Sequence, residues 1–86
     1  MAHSNSAKKR IRQNMKRRAL NRWRMRNMRV AIKAFDDSLS NGGDAVAAYR
    51  KAASTVDRTA QKGVIHRNQA ARRKSRMNKR LKAHAG

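Results

Sequence analysis

Five cationic side chains recur at helical spacing in the first half of the chain. They are Arg18, Arg22, Arg26, Arg29 and Lys33, at intervals of 4, 4, 3 and 4 residues. Residues three or four apart lie on the same face of an α-helix, so the pattern predicts a continuous basic ridge. An Arg guanidinium presents a planar fork of N–H donors that matches a phosphate group, and Lys supplies a point charge. A ridge of this kind indicates a surface that binds a polyanion.

More cations precede this basic ridge and point to every side of the same predicted helix. They are Lys8, Lys9, Arg10, Arg12, Lys16 and Arg17, with Ser6 just before them. Like charges four residues apart repel each other along a helix, and no acidic residue occurs before Asp36. A solvated helix face normally mixes both signs of charge. We therefore expect all these side chains to contact phosphates.

The C-terminal third is the second cationic region, and it begins with a turn at Gly63, which tolerates positive φ. We expect a helix to follow, whose free N-terminal N–H groups form a phosphate site. Two interpretations of His66 remain open: a polar contact near a phosphate, or a capping role. The residues predicted to bind nucleic acid in this region are Lys62, His66, Arg67, Asn68, Arg72, Arg73, Lys74, Arg76, Lys79 and Arg80.

The net charge of the 86-residue chain is +20, from 24 Lys or Arg against four Asp. Residues 1–35 contribute +12, residues 36–57 contribute −2 and residues 58–86 contribute +10. Only the middle block is nearly neutral, so we expect the packed core there. Self-repulsion at +20 opposes compaction unless a polyanion neutralises it, which makes a nucleic acid the expected partner.

Composition excludes several other classes of protein. With no Cys and only eleven Leu, Ile, Val or Phe residues, the chain cannot form disulfides or enclose a deep dry pocket. No pair of carboxylates and no Gly-rich phosphate loop supports catalysis, and the three His residues are too dispersed for a metal cluster. We expect no enzyme activity, no small-molecule substrate, and no cofactor or metal.

Membrane and targeting roles are also disfavoured by the sequence. No apolar run approaches the roughly 20 residues that span a bilayer, and residues 6–27 lack the broad apolar face of a membrane-active peptide. The Arg-rich, acid-free N-terminus would suit a mitochondrial transit peptide, but the same composition returns at the C-terminus. We expect no membrane partner.

Helices must position all of these residues, and the predicted class is all-α. The chain has no Pro and no strand-type alternation, and good helix formers dominate it. Asn41-Gly42-Gly43 is expected to end the first helix, and Asp44 to cap the second. Ser4, Asn5 or Ser6 is expected to cap the first. The predicted helices cover about residues 6–40, 45–62 and 65–84 of a single domain, 1–86.

Apolar stripes predict a three-helix bundle, with Phe35 and Tyr49 as core residues rather than base-stacking platforms.

The first helix should be about 50 Å long and the second near 27 Å, so the N-terminal half of the first should project as a basic extension. Trp23 either stacks on a base or ribose or covers a bundle edge. The stripes comprise Met28, Ala31, Ile32, Phe35 and Leu39; Ala45, Tyr49, Ala52, Ala53, Val56 and Ala60; and Val64, Ile65, Ala70, Met77 and Leu81.

Several segments together resemble one known family, the bacterial small-subunit ribosomal protein twenty family. They are Asn5-Ser6-Ala7-Lys8-Lys9-Arg10, Val56-Asp57-Arg58, Lys62-Gly63-Val64-Ile65-His66-Arg67-Asn68 and Ala70-Ala71-Arg72. The third is the most specific, and the similarity covers nearly the whole chain.

The resemblance implies a structural constituent of the small ribosomal subunit that binds small-subunit ribosomal RNA directly, early in assembly. It also implies other small-subunit proteins as neighbours, and a ribosome in the cytoplasm, or in the plastid for an algal or plant source. The positions that it implicates are Ser6, Lys8, Lys9, Arg10 and the region from Gly63 to Arg76.

One alternative function shares the same charge: a general nucleoid or DNA-compacting protein. Such a protein should bind duplex DNA about as tightly as structured RNA, because phosphate contacts carry no sequence information. The two functions therefore differ in a competition assay.

Overall fold

Three α-helices build the fold: α1 at Asn5–Asn41, α2 at Ala45–Gln61 and α3 at Arg67–Ala85. The computed structural model describes residues 5–85, and no strand occurs in that range. The predicted all-α class is confirmed. The helix bounds lie within one residue of the predicted ones, except that α3 begins two residues later. Ser4, one of the expected N-caps, lies outside the described residues.

The connection between α1 and α2 uses the expected turn residues. Gly42 adopts a φ of 77°, a left-handed conformation that costs glycine little. The Gly43 N–H donates to Asn41 Oδ1 at 3.0 Å. The Ala47 N–H donates to Asp44 Oδ1 at 3.1 Å, which confirms Asp44 as the N-cap of α2.

The end of α2 is a Schellman motif centred on Gly63, whose φ is 76°. The Gly63 N–H donates to the Ala60 carbonyl at 2.9 Å, and the Val64 N–H donates to the Thr59 carbonyl at 3.1 Å. This pair of bonds satisfies carbonyls that a helix end otherwise leaves open. The two short connections make α1 and α3 both antiparallel to α2.

The predicted stripes of all three helices form the core, but only Ala52 and Val56 of its buried cluster lie in the nearly neutral block 36–57. The expectation that the core lies in that block was therefore wrong for most of its residues. Phe35 packs edge to face against Tyr49, with ring centroids 5.9 Å apart, so the core assignment of both aromatics is confirmed. The buried cluster consists of Met28, Phe35, Ala52, Val56, Ile65, Ala70 and Met77.

Two buried hydroxyls, which the apolar pattern did not predict, belong to Ser38 and Thr59. Ser38 donates to the Phe35 carbonyl at 2.6 Å and Thr59 to the Thr55 carbonyl at 2.7 Å. Each hydroxyl is therefore satisfied within its own helix.

The N-terminal half of α1 projects beyond the bundle, as predicted. The molecule measures 63 × 23 × 13 Å, and its long axis reflects the 37-residue α1. Residues 8–20 are all exposed, including the apolar side chains of Ile11 and Met15. We call residues 5–20 the N-terminal extension. Within residues 5–85, no helix is long and apolar enough to cross a membrane.

Candidate nucleic-acid interface

The side chains predicted to contact nucleic acid all lie on described helices or turns. All are exposed except Arg73 and Lys74, which are half-buried. Surface exposure is a requirement for phosphate contact, and the structure meets it along both basic regions. Contact itself stays a prediction for every one of them.

Three faces can be distinguished around the axis of α1. With the fully buried Phe35 as reference and about 100° per residue, the basic ridge centres about 140° away in one direction. A second stripe, formed by Trp23, Val30 and Ala34, centres about 120° away in the other direction. The ridge and this stripe therefore lie on opposite flanks of the core face.

An ion pair joins the basic ridge to the cations of α3. Arg80 Nη1 lies 2.7 Å from Asp36 Oδ1. Since α1 and α3 run in the same direction, residues before Arg80 lie beside residues before Asp36. Arg76 and Arg72, at steps of four before Arg80, are exposed on the same helix. We call Arg72, Arg76 and Arg80 the α3 row, and we call the ridge and the α3 row together the basic face.

A second ion pair fixes α3 against α2. Lys74 Nζ lies 2.8 Å from Asp57 Oδ1. The hydrogen bond to that carboxylate, and its negative charge, raise the pKa of Lys74 above the ordinary 10.5. The ammonium is therefore charged below that pH, and the pair is lost only as pH rises through the raised pKa. Sequence reasoning assigned Lys74 and Arg80 to RNA contact alone; the structure shows that both also form exposed ion pairs with neighbouring helices.

Arg73 differs from its neighbour Arg72 in its surroundings. Its Nε is buried and has no hydrogen-bond partner within the described part of the chain, whereas Arg72 is exposed. Part of the Arg73 side chain thus packs into the bundle surface. Substituting Arg73 would disturb packing as well as charge.

The start of α3, where a phosphate site was predicted, is capped by a residue of its own chain. His66 precedes the helix, and its Nδ1 accepts the Asn68 N–H at 3.1 Å. Its carbonyl accepts the N–H groups of Gln69 at 2.9 Å and Ala70 at 3.1 Å. His66 therefore has the capping role, which leaves the neutral ring protonated on Nε2. This cap is why α3 begins at Arg67 rather than at Ile65. The Asn68 N–H, one of the free donors expected at this end, is thus paired with the His66 ring.

A groove between α1 and α2 was missed by sequence reasoning. It has a volume of about 560 Å³, and Trp23 lies in its lining with the Val30 and Ala34 stripe. Of the two interpretations of Trp23, the structure places this side chain at the edge of the bundle, yet 59% of it remains exposed.

Three cations of this groove were left out of the predicted contact residues: Arg24, Lys51 and Arg58. Lys62, which was predicted, also lines the groove rather than the basic face. The spacing of Lys51, Arg58 and Lys62 along α2 could have indicated a shared face, because steps of seven and four return to one side of a helix.

Known proteins resemble this chain over nearly its full length. The family model described as Ribosomal protein S20 matches residues 2–82. Small ribosomal subunit protein bS20 of Acinetobacter baumannii is 48% identical over 85 residues, which are 96% of this chain and 97% of the relative. The bS20 proteins of Acinetobacter baylyi and a Psychrobacter species are 47% and 48% identical, over 96% of this chain and 96% and 97% of theirs.

Proposed function

The chain belongs to the ribosomal protein S20 family, and on that premise we propose that it is a structural constituent of the small ribosomal subunit that binds its ribosomal RNA. The observation that carries the proposal is the single basic face made by the ridge and the α3 row, joined at Arg80 and Asp36. The family and the relatives named above give no support to a DNA-compacting function.

The proposed mechanism is neutralisation of phosphates by a preformed basic surface. Each phosphate paired with Lys or Arg releases condensed counterions, so affinity falls steeply with salt. Side chains cannot readily reach bases in the deep major groove of A-form RNA, and specificity follows instead from the shape and placement of several RNA helices. The N-terminal extension, exposed on all sides, has the form to lie between such helices.

The proposed partners are small-subunit ribosomal RNA and neighbouring ribosomal proteins, and the proposed location in a bacterial cell is the cytoplasmic ribosome. A structural role of this kind needs positioned charges and no catalytic group. Three of the four acids serve the bundle itself: Asp36 and Asp57 form ion pairs with α3, and Asp44 caps α2.

Binding to the ribosomal RNA tests the proposed function directly. We expect the protein to co-sediment with a full-length small-subunit ribosomal RNA transcript at low salt and to dissociate progressively through a salt series. Duplex DNA in equal nucleotide concentration should compete weakly. Equal competition by DNA would contradict the proposal and favour the DNA-compacting alternative.

Helicity should rise when the RNA is added. The N-terminal extension lacks core contacts and carries only like charges, so its helix is weak without phosphates. If the 16 residues of the extension are disordered in the free protein and helical in the complex, the helical signal rises by about a quarter, since the three helices hold 73 residues. Circular dichroism of free and bound protein measures this change.

Raised salt without RNA provides the control for that measurement, because screening relieves part of the repulsion. We expect salt alone to raise the helical signal less than RNA does. Full helicity at low salt without RNA would contradict coupled folding.

A further inference from the structure

The groove between α1 and α2 is not used by the basic face described above. We propose that it binds an unpaired nucleotide of the RNA, with the base stacked on the indole of Trp23 and the phosphate held by cations at the rim. This inference rests on the proposed function, because it assigns a specific ligand chemistry within the same RNA.

The groove exists because small side chains face each other across the two helices. Ala31 and Ala34 of α1 oppose Ala48 of α2 in its lining, and alanines leave space that larger residues would fill. The resulting volume of about 560 Å³ lies within the range of about 300–1,000 Å³ that is typical of small-ligand sites. Its walls are largely apolar, which suits the face of a base.

Trp23 supplies the flat surface that a base requires. The side chain is 59% exposed although it belongs to the groove lining, so its ring is accessible to a ligand in the groove. Stacking of bases on aromatic rings tolerates any sequence, since every base has a π face. The apolar surface of Val30, also exposed, continues the wall beyond the indole.

Cations line the rim of the groove along its length. Trp23 lies 18 residues before the end of α1 and Lys62 lies 17 residues after the start of α2, so both are about 26 Å from the connecting loop. Arg24, Lys51 and Arg58 complete the positive rim, and none of the described lining residues is acidic. Among residues 5–85, the Arg58 guanidinium donates only to Ser54 Oγ, at 3.3 Å and in an exposed position, so its other N–H groups can serve a phosphate.

Charge decides between the occupants that an apolar groove could accept. A second copy of the chain would bring another +20 to a cationic rim and would be repelled. A neutral apolar peptide would cover the walls but leave the rim cations unpaired. A nucleotide satisfies both features at once, since it joins an aromatic base to an anionic phosphate.

The fluorescence of Trp23 reports on the groove directly, because this is the only Trp in the chain. We expect quenching, with selective excitation of Trp, when the full-length protein is titrated with protein-free small-subunit ribosomal RNA transcript. A base stacked on the indole quenches it by contact. Blunt RNA duplex of random sequence, which offers no unpaired base, should bind through phosphates with little quenching.

Substitutions separate stacking from charge. Trp23→Ala should weaken binding to the transcript about 5-fold to 150-fold, the usual cost of losing one stacked base. The salt slope, which is the slope of log affinity against log salt concentration, should not change. Trp23→Phe should retain most of the affinity. Lys62→Gln should instead lower the salt slope by about one unit. Val46→Ala is the matched control, since it changes an exposed apolar residue of α2 outside the groove lining. It should change neither the affinity nor the salt slope. Circular dichroism checks that each variant is folded.

The outcomes distinguish this inference from the proposed function. If the unmodified protein fails to bind the transcript, both are overturned. If it binds with steep salt dependence but Trp23→Ala binds equally well and no quenching occurs, only the inference is overturned. Quenching that requires small-subunit proteins in addition to the transcript would identify a protein as the occupant, and would also overturn it.

Discussion

Phe35→Ala is expected to lower the free energy of unfolding by about 3–5 kcal/mol, the usual cost of removing a buried aromatic side chain. Phe35 is fully buried and makes the edge-to-face contact with Tyr49, so its loss leaves a cavity between α1 and α2. A domain of this length typically has about 4–13 kcal/mol of stability in total. Since the chain holds so few large apolar residues, we expect the variant to be largely unfolded without RNA.

Urea unfolding followed by circular dichroism measures this effect. Val46→Ala is the control, since this Val lies on the surface of α2 and its substitution should change stability by no more than about 0.5 kcal/mol. The unfolding midpoint of Phe35→Leu should lie between those of Phe35→Ala and Val46→Ala, because leucine keeps most of the apolar volume. A midpoint for Phe35→Ala equal to that of the unmodified protein would mean that this contact does not hold the bundle together.

A triple variant of the basic ridge should show a weaker salt dependence of RNA binding. Its substitutions are Arg22→Gln, Arg26→Gln and Arg29→Gln. The slope of log affinity against log salt concentration should become shallower by about three units, near one per phosphate contact. Affinity should fall most at low salt and converge with that of the unmodified protein at high salt, because counterion release is the lost contribution. All three side chains are exposed, so the fold should be retained.

Arg50→Gln provides a control matched to the single Arg26→Gln change. Both are exposed arginines within a helix, but Arg50 lies outside the basic ridge, the α3 row and the groove. We expect Arg26→Gln to lower the slope by about one unit and Arg50→Gln to change it less. Filter binding to the ribosomal RNA transcript over a salt series gives both slopes, and an unchanged slope for the triple variant would move the interface elsewhere.

Much of the fold could be predicted because its signals are local. Asp44 caps α2 through a bond that spans three residues, and Gly42 and Gly63 adopt the positive φ that their positions after a helix imply. The core stripe around Phe35 follows from helical period alone. The charge blocks, in contrast, did not locate the core, because apolar stripes within both basic regions also pack into it.

The candidate site was less predictable where it depends on which helices meet. Helical period placed the ridge on one face of α1, yet it could not show that Arg80 pairs with Asp36, 44 residues away. It could not show that Lys74 pairs with Asp57 either. The His66 cap was one of two open interpretations, since a histidine before a helix can serve its own backbone or a ligand. The groove was missed because its space comes from three alanines, Ala31, Ala34 and Ala48, whose small side chains gave no signal in the sequence.

The sequence by itself determined the helices, their ends apart from the start of α3, the core stripes and the acid-free basic regions, since each depends on residues within a few positions of one another. Only the tertiary structure decided which basic rows combine, which cations are shared with the bundle and where Trp23 lies. Those features depend on how helices pack, and packing is set by side chains distant in sequence. The charge of +20 thus predicted the class of partner, whereas the arrangement of three helices divided that charge into a basic face, an extension and the rim of a groove.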